Sequence, residues 1–212
     1  MKKNQFKNIE CGEYLMGSYY ALCNSIDLYN DAMLLFKDSR HSRAYALFQL
    51  STEEAGKVIL LIDSHVRCQF YKNTKEVKNE ANLNQQYKIL NDVFFDHSEK
   101  MKYIMHYERL RWNRFYRAFN PNHVDVPLVI NQNDIARLNK KKNDSLYTSV
   151  EDDKFIAPFH RFNHTDVLSI RDRAFQKITH ARQGFLRFVE GSSVPKEINI
   201  KGLKEVQLDL TQ

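Results

Sequence analysis

Hydrophobic residues recur along four long segments with the spacing of buried helix faces. Apolar side chains at positions i, i+3, i+4 and i+7 are typical of helices that bury one side. The pattern predicts four long helices, over Gly12–Phe36, Ser42–Phe70, Asn84–Phe119 and Thr165–Val189. Thr165 is a favourable first residue for the fourth helix, and Gly191 follows it as a common terminator.

The segments between these helices are polar or irregular. Residues 72–85 (KNTKEVKNEANLNQ) are predicted to form a loop, and residues 134–142 (DIARLNKKK) a short basic helix. Residues 145–158 (SLYTSVEDDKFIAP) alternate in polarity, which predicts a hairpin turning at Glu151–Asp153. We expect one helical domain over residues 1–190, followed by a tail, 191–212, whose alternation suggests an edge strand.

Composition narrows the class of protein. The 212 residues are 42% hydrophobic with only 6 glycines and 4 prolines, which suits a few long helices. The net charge of +6 fits either a polyanionic partner such as RNA or an ordinary basic surface. No apolar run approaches the roughly 18 residues of a membrane span. Three cysteines without a CxxC pair and without a hydrophobic leader predict a reduced, cytoplasmic protein, and no ligand spacing suggests a metal.

Two carboxylates and a lysine interrupt the most hydrophobic helix, in STEEAGKVILLI (51–62). On a helical wheel, Glu53 falls on the polar side, where it is expected to pair with Lys57 four residues later. Glu54 falls inside the apolar arc. A buried carboxylate without a partner is costly, so Glu54 needs one from another helix.

The third predicted helix offers that partner. His97 lies on its apolar face, with Lys100 one turn along at the edge. We therefore expect Glu54 and His97 to meet, or to share a polar cleft with Lys57 and Lys100 at its rim. The alternative is a buried Glu–His hydrogen bond that only fixes the register of the helices.

These residues also carry a family resemblance. The runs AYALFQLSTEEAGKVILL and FFDHSEKM resemble the AbiV-type abortive infection family, whose members show A-x-EE-x-GK followed by H-x-x-K. The matching residues are Glu53, Glu54, Gly56, Lys57, His97 and Lys100. A later hairpin matches at Leu146, Tyr147 and Pro158 and departs at Lys142 and Thr148. The resemblance implies an all-α, HEPN-like helical bundle that serves bacterial defence against phage.

Many HEPN proteins are metal-independent endoribonucleases, so the resemblance raises this activity without any cofactor. They use an Arg and a His separated by four to six residues, often across a homodimer. Arg117 with His123, and Arg173 with His180, fit that spacing. In both, alanine follows the arginine, where many active members have a polar residue. The matched cluster of Glu54, Lys57, His97 and Lys100 is the first expectation for a catalytic site, and Arg117 with His123 is the alternative.

The basic run of Lys140, Lys141 and Lys142, close to Tyr147, could hold RNA by charge and by stacking, although such a run is more often a solvated loop. We expect a homodimeric effector that disables RNA or the translation machinery after phage infection. The rival hypothesis is a non-catalytic module that binds a phage or ribosomal protein.

Overall fold

A computed structural model describes residues 6, 9–73, 78–95, 132–190 and 194–208. Within these ranges the chain forms six α-helices: α1 (Cys11–Lys37), α2 (His41–Asn73), α3 (Lys78–Phe95), α4 (Gln132–Leu146), α5 (His164–Glu190) and α6 (Ile200–Glu205). Strands β1 (Ser149–Glu151) and β2 (Lys154–Ile156) form a hairpin, and a 3₁₀ turn spans Pro158–His160. The fold is all-α apart from this hairpin, which confirms the predicted fold class.

Helices α1 and α2 form a tight antiparallel hairpin. The connection is short and places Ser39 in the left-handed region, at φ 57°. Serine side chains line the contact between the helices: Ser25 Oγ donates to Ser51 O at 2.9 Å, and Ser51 Oγ donates to Ser25 O at 2.8 Å. Ser18 Oγ likewise donates to Val58 O at 3.0 Å. Small side chains let the two backbones approach, and these hydrogen bonds fix the register between them.

Helix α5 completes the core by packing on α1 and α2. Its buried hydrophobic residues recur with the spacing of one buried helix face, namely Val167, Ile170, Ala174, Ile178, Ala181, Phe185 and Val189. Gly184 lies where α5 packs closely on the side chain of Ile59 in α2, because a Cβ there would be 3.1 Å from Ile59 Cδ1. The fourth predicted helix and its core face are thus confirmed.

Helix α4 packs on another side of α2, and the hairpin follows it. The strands pair with Ser149 opposite Ile156 and Glu151 opposite Lys154. Asp152 and Asp153 make the turn with positive φ values of 48° and 60°. The expected basic helix and the hairpin turning at Glu151–Asp153 are therefore confirmed, although α4 is longer than predicted.

The structure corrects three predicted boundaries. Helix α5 begins at His164 because Asn163 caps it: Asp166 N donates to Asn163 Oδ1 at 3.0 Å, and Asn163 N donates to Asp166 Oδ2 at 3.3 Å. Much of the predicted loop is helical, since α2 continues to Asn73 and α3 starts at Lys78. The remainder of the third predicted helix, beyond Phe95, lies outside the described residues.

The tail also differs from its prediction. Residues 194–208 contain helix α6 and no strand. Asn199 caps this helix by accepting a hydrogen bond from Gly202 N at 2.8 Å, and Leu203 is buried against the core. The predicted edge strand is wrong because a helix of six residues has too few turns to show the helical period in its sequence.

The cysteines overturn the expectation that all three are reduced. Cys11 and Cys68 form a disulfide, and Cys23 is the free thiol. Their separation in sequence gave no signal, but Cys11 and Cys68 lie at nearly equal distances from the turn between α1 and α2. An antiparallel helical hairpin therefore brings them side by side. No helix in the described part of the chain is long and apolar enough to cross a membrane.

Candidate functional site

The two adjacent glutamates of α2 exchange the roles predicted for them. Glu53 is the buried one, with its side chain 1% exposed, and its Oε1 lies 3.0 Å from Lys142 Nζ on α4. Lys142 is itself only 7% exposed, so this is an ion pair inside the protein. The predicted pairing of Glu53 with Lys57 is wrong, because α4 covers the side of α2 that the wheel assigned to solvent.

Glu54 pairs instead with Lys57, one turn along the same helix, at 2.5 Å. Both side chains are mostly buried, and Lys57 Nζ lies 5.0 Å from the ring centre of Phe94 on α3. The partner that we expected for Glu54, His97, lies outside the described residues, as does Lys100. The contact between Glu54 and His97 therefore stays a prediction.

Glu54 and Lys57 line a groove of about 670 Å³ between α1, α2 and α3. Its other walls are largely apolar and aromatic, including Tyr14, Tyr20 and Phe94. Burial raises the pKa of Tyr14, whose hydroxyl donates to Phe6 O at 3.0 Å. This side of the matched motif is thus an apolar groove with one internal ion pair.

A second cavity, of about 830 Å³, lies between α4 and α5, and we call it the cationic cleft. Its described lining residues come from three helices: Tyr45 of α2, Arg137, Leu138 and Lys141 of α4, and Thr165, Asp166, Ser169, Ile170, Asp172, Arg173, Gln176, Lys177 and His180 of α5. Four basic side chains, of two arginines and two lysines, face two carboxylates there. Lys141 Nζ lies 3.8 Å from Asp166 Oδ1, and Arg171 Nη2 lies 2.9 Å from Asp172 Oδ1, so both carboxylates have cationic partners.

Three side chains of α5 form a stripe along one wall of the cationic cleft. Arg173, Lys177 and His180 follow at spacings of four and three residues, so they occupy one face on successive turns. Arg173 and His180 are exposed, and Lys177 is half-buried between them. Arg173 and His180, the pair with the expected Arg–His spacing, therefore line the same cavity.

Two ionisable groups of the cleft are shifted by burial. Burial lowers the pKa of Lys177 to about 8, so its amine can exchange a proton close to neutral pH. Burial also raises the pKa of Tyr45, although the nearby Arg173 lowers it in part. The Tyr45 phenol therefore stays protonated and can donate a hydrogen bond from the floor of the cleft.

The residue after Arg173 has a structural explanation. Ala174 is fully buried and belongs to the core stripe of α5, facing away from the cleft. A polar side chain at this position would enter the core instead of the cavity. The alanine therefore does not count against a site at Arg173.

The three consecutive lysines of α4 point in three directions. Lys140 is exposed and pairs with Asp144 at 3.0 Å and Glu151 at 3.3 Å, whereas Lys141 lines the cationic cleft. Lys142 is buried against Glu53, which corrects the expectation that it contacts RNA. Tyr147 is 64% exposed just beyond α4 and is not among the described residues that line the cleft.

Of the two cationic residues that α4 supplies to the cleft, the sequence predicts Lys141 but not Arg137. Arg137 drew no attention because a single arginine in a basic helix carries no signal. Lys177 could have been found, because it lies on the helical face shared by Arg173 and His180. Arg117 and His123, the alternative pair, lie outside the described residues.

Comparison with known protein families shows which family the chain is related to. The family model for AbiV, of the HEPN class, matches residues 13–179. The chain belongs to the AbiV family. This AbiV match includes Glu53, Glu54, Lys57 and Arg173 and ends one residue before His180. It indicates a role in bacterial abortive infection and defence.

No curated protein and no solved structure matches this AbiV-family chain. The family and the geometry of the two cavities are therefore the basis for a functional proposal.

Proposed function

We propose that the protein is an abortive infection effector that binds single-stranded RNA in the cationic cleft and cleaves it without a metal. The observation that carries this proposal is the stripe of Arg173, Lys177 and His180 along one wall of a cavity with Arg137 and Lys141 on the other. Cations on two facing helices suit a phosphate backbone that passes between them. The family, with its role in defence, supports the same reading.

The chemistry assigns each residue of the stripe a task. The His180 imidazole accepts the proton of an RNA 2′-hydroxyl, and the 2′-oxygen then attacks the adjacent phosphorus. Arg173 hydrogen-bonds to the phosphoryl oxygens as negative charge develops on them. The bond from phosphorus to the 5′-oxygen breaks, and protonated Lys177 donates a proton to that oxygen. The products are a 2′,3′-cyclic phosphate and a 5′-hydroxyl.

The spacing along α5 supports this division. Residues three or four apart have Cβ atoms about 5–6 Å from each other. Lys177 is four residues after Arg173 and three before His180, so one phosphodiester can lie within reach of all three. Lys177, with a pKa of about 8, is protonated at neutral pH and is a stronger acid than an ordinary lysine.

Incubation of the purified protein with a defined single-stranded RNA tests the proposal. We expect cleavage that resists EDTA, leaves a 2′,3′-cyclic phosphate and fails on an RNA with a 2′-deoxy group at the cleavage site. His180→Ala should lower the rate by a factor of about 10² to 10⁴. Arg173→Lys should also slow cleavage, because lysine keeps the charge but loses the planar fork.

Matched controls come from residues of the same type outside the cleft. His160 is exposed on the 3₁₀ turn, and Arg187 is exposed on α5, so His160→Ala and Arg187→Ala should cleave at the wild-type rate. If His97→Ala or His123→Ala abolishes cleavage and His180→Ala stays active, the active site lies at the histidine expected from the sequence and not in the cationic cleft. RNA binding without cleavage in every variant would favour the non-catalytic module instead.

A further inference from the structure

The ion pair between Glu53 and Lys142 joins α4 to α2. The two residues are separated by 89 positions in the sequence, and their side chains are 1% and 7% exposed. Charged side chains are rarely buried to this degree unless they are paired. The pair therefore marks a contact that the fold keeps despite the unfavourable desolvation of two charges.

Helix α4 has little apolar surface to hold it in place. Ile135 is its one fully buried hydrophobic residue among those described, whereas Leu138 is half-buried and Leu146 is 41% exposed. The other buried positions are polar, namely Lys142 and Ser145, and Ser145 Oγ donates to Lys142 O at 2.5 Å. Among the described residues of α4, the ion pair of Lys142 with Glu53 is therefore a main contact that fixes the helix against α2.

The same helix carries one wall of the cationic cleft. Arg137 and Lys141 lie one turn apart and line the cavity opposite α5, while Lys142 reaches Glu53 of α2 and Ile135 is buried two turns earlier on the same face as Lys142. Successive residues of a helix are rotated by about 100°. A slip of α4 by one residue on α2 would therefore turn Arg137 and Lys141 away from the cleft.

We infer that Glu53 is a positioning residue for the cationic cleft. Because it pairs with Lys142 and not with the two lysines before it, it fixes the rotation of α4 that directs Arg137 and Lys141 into the cleft. Ile135, two turns earlier on the same face, fixes which lysine reaches the carboxylate. An apolar pair of similar volume is often as stable as a buried ion pair. Two apolar side chains, however, do not require one particular register of α4 on α2, whereas the ion pair does. The inference rests on the proposed function only for its RNA readout.

The position of α4 can be measured independently of RNA, by amide hydrogen exchange across residues 132–146. Glu53→Gln keeps the shape of the side chain and removes its charge. We expect exchange in α4 to accelerate by tenfold or more, with α1 and α5 unchanged, because the opening of α4 becomes easier. Asp63→Asn is the matched control, since it removes an α2 carboxylate that pairs with Arg67 of the same helix.

RNA affinity is measured on the same variants by fluorescence anisotropy with a single-stranded RNA. Glu53→Gln should weaken binding by about tenfold, since misplaced contact residues lose much of their effect. The exchanged pair, Glu53→Lys with Lys142→Glu, should recover protection of α4 and part of the affinity. A merely destabilised core would not be rescued by reversing the charges.

Glu53→Leu with Lys142→Leu gives a second test if Glu53→Gln fails to fold. We expect this variant to melt near the wild-type temperature and yet to bind RNA about tenfold more weakly. Wild-type affinity in the apolar variant, or unchanged α4 exchange in folded Glu53→Gln, would overturn the inference. If the wild-type protein binds no RNA but α4 exchange responds as expected, the proposed function fails and the positioning role of Glu53 stands.

Discussion

Lys177 makes the cationic cleft sensitive to pH at the scale of a single residue. Burial lowers the pKa of its amine to about 8, and the residue lies between the two exposed groups of the stripe. We predict that RNA affinity falls as pH rises through about 8, by at most roughly tenfold per pH unit, as Lys177 loses its charge. Anisotropy titrations between pH 6.5 and 9.5, at constant salt, measure this.

The matched variant for this test is Lys177→Arg, which keeps its charge throughout the range and should bind with little pH dependence. Lys196→Arg, at an exposed position outside the cleft, should behave as the wild-type protein does. A wild-type affinity that is flat across pH 8 would contradict the placement of Lys177 at the phosphate.

The lowered pKa of Lys177 also predicts how the free energy of unfolding changes with pH. The folded protein has a lower Lys177 pKa than the unfolded chain, about 8 against 10.5, so the unfolded state binds more protons between these values. The free energy of unfolding should therefore gain a contribution as pH rises through this window, fully present above about 10.5 and absent below about 8. Lys177→Met should remove this contribution, which chemical denaturation at several pH values can detect.

The two glutamates show what a sequence reveals about single residues. The wheel identified that one glutamate of α2 had to be buried and needed a partner, but it chose Glu54 when Glu53 is the more buried. A wheel with one apolar arc assumes one covered side. Helix α2 is covered by α1 and α5 and also by α4, so Gln49, Thr52 and Glu53 are buried as well. The partner, Lys142, comes from a distant segment that no helical periodicity connects to α2.

The start of α5 gives a prediction at the scale of an element. Asn163 and Asp166 exchange hydrogen bonds at the first turn, which satisfies two backbone N–H groups. Asn163→Ala should lower the free energy of unfolding by about 1 kcal/mol, and Asn163→Asp should change it little. Urea unfolding followed by circular dichroism measures both, and an equal loss for Ala and Asp would argue against the capping role.

The disulfide gives a second prediction at this scale. The denatured, unreduced protein should show one titratable thiol, from Cys23, and three after reduction. Loss of a cross-link over 57 residues should destabilise the fold by about 4 kcal/mol, chiefly because the unfolded chain gains freedom. Cys68→Ser should match the melting temperature of the reduced wild-type protein, and Cys23→Ser should leave it unchanged. Three thiols without reductant would contradict this pairing.

Elements were predicted well where their periodicity is long. Helices α1, α2 and α5 agree with the sequence to within a few residues because each repeats its apolar stripe over several turns. Helix α6 is too short to show its period, and Asn163 was passed over because Thr165 is also a good cap. The cationic cleft could not be predicted, because its walls come from α4 and α5 and its floor from Tyr45 of α2. Their juxtaposition depends on the buried ion pair.

Exposed aromatic residues lead to a prediction for the whole molecule. Tyr147, Phe155 and Phe159 on and around the hairpin are 64%, 82% and 72% exposed. Large exposed apolar side chains grouped on one segment are typical of contact surfaces. We predict a homodimer with twice the 25.2 kDa chain mass, which light scattering at roughly 20 μM can measure, near the affinity range of weak complexes.

Phe155→Ser with Phe159→Ser should shift the protein towards the monomer mass. Tyr20→Ser is the control, because Tyr20 is 59% exposed on α1 and away from the hairpin. A monomer mass for the wild-type protein would refute the dimer, and equal effects of all three serine substitutions would remove the hairpin from the interface.

The seam of serines between α1 and α2 has a consequence for how the chain folds. Contacts between neighbouring helices close short loops, so this helical hairpin can form early, while the rest of the chain is still being synthesised. The side of α2 that α4 later covers would then face water for some time. Because Gln49, Thr52 and Glu53 are polar, that side of α2 is well hydrated until α4 packs on it and Lys142 pairs with Glu53. A glutamate buried in the finished protein would thus also protect the nascent chain against aggregation.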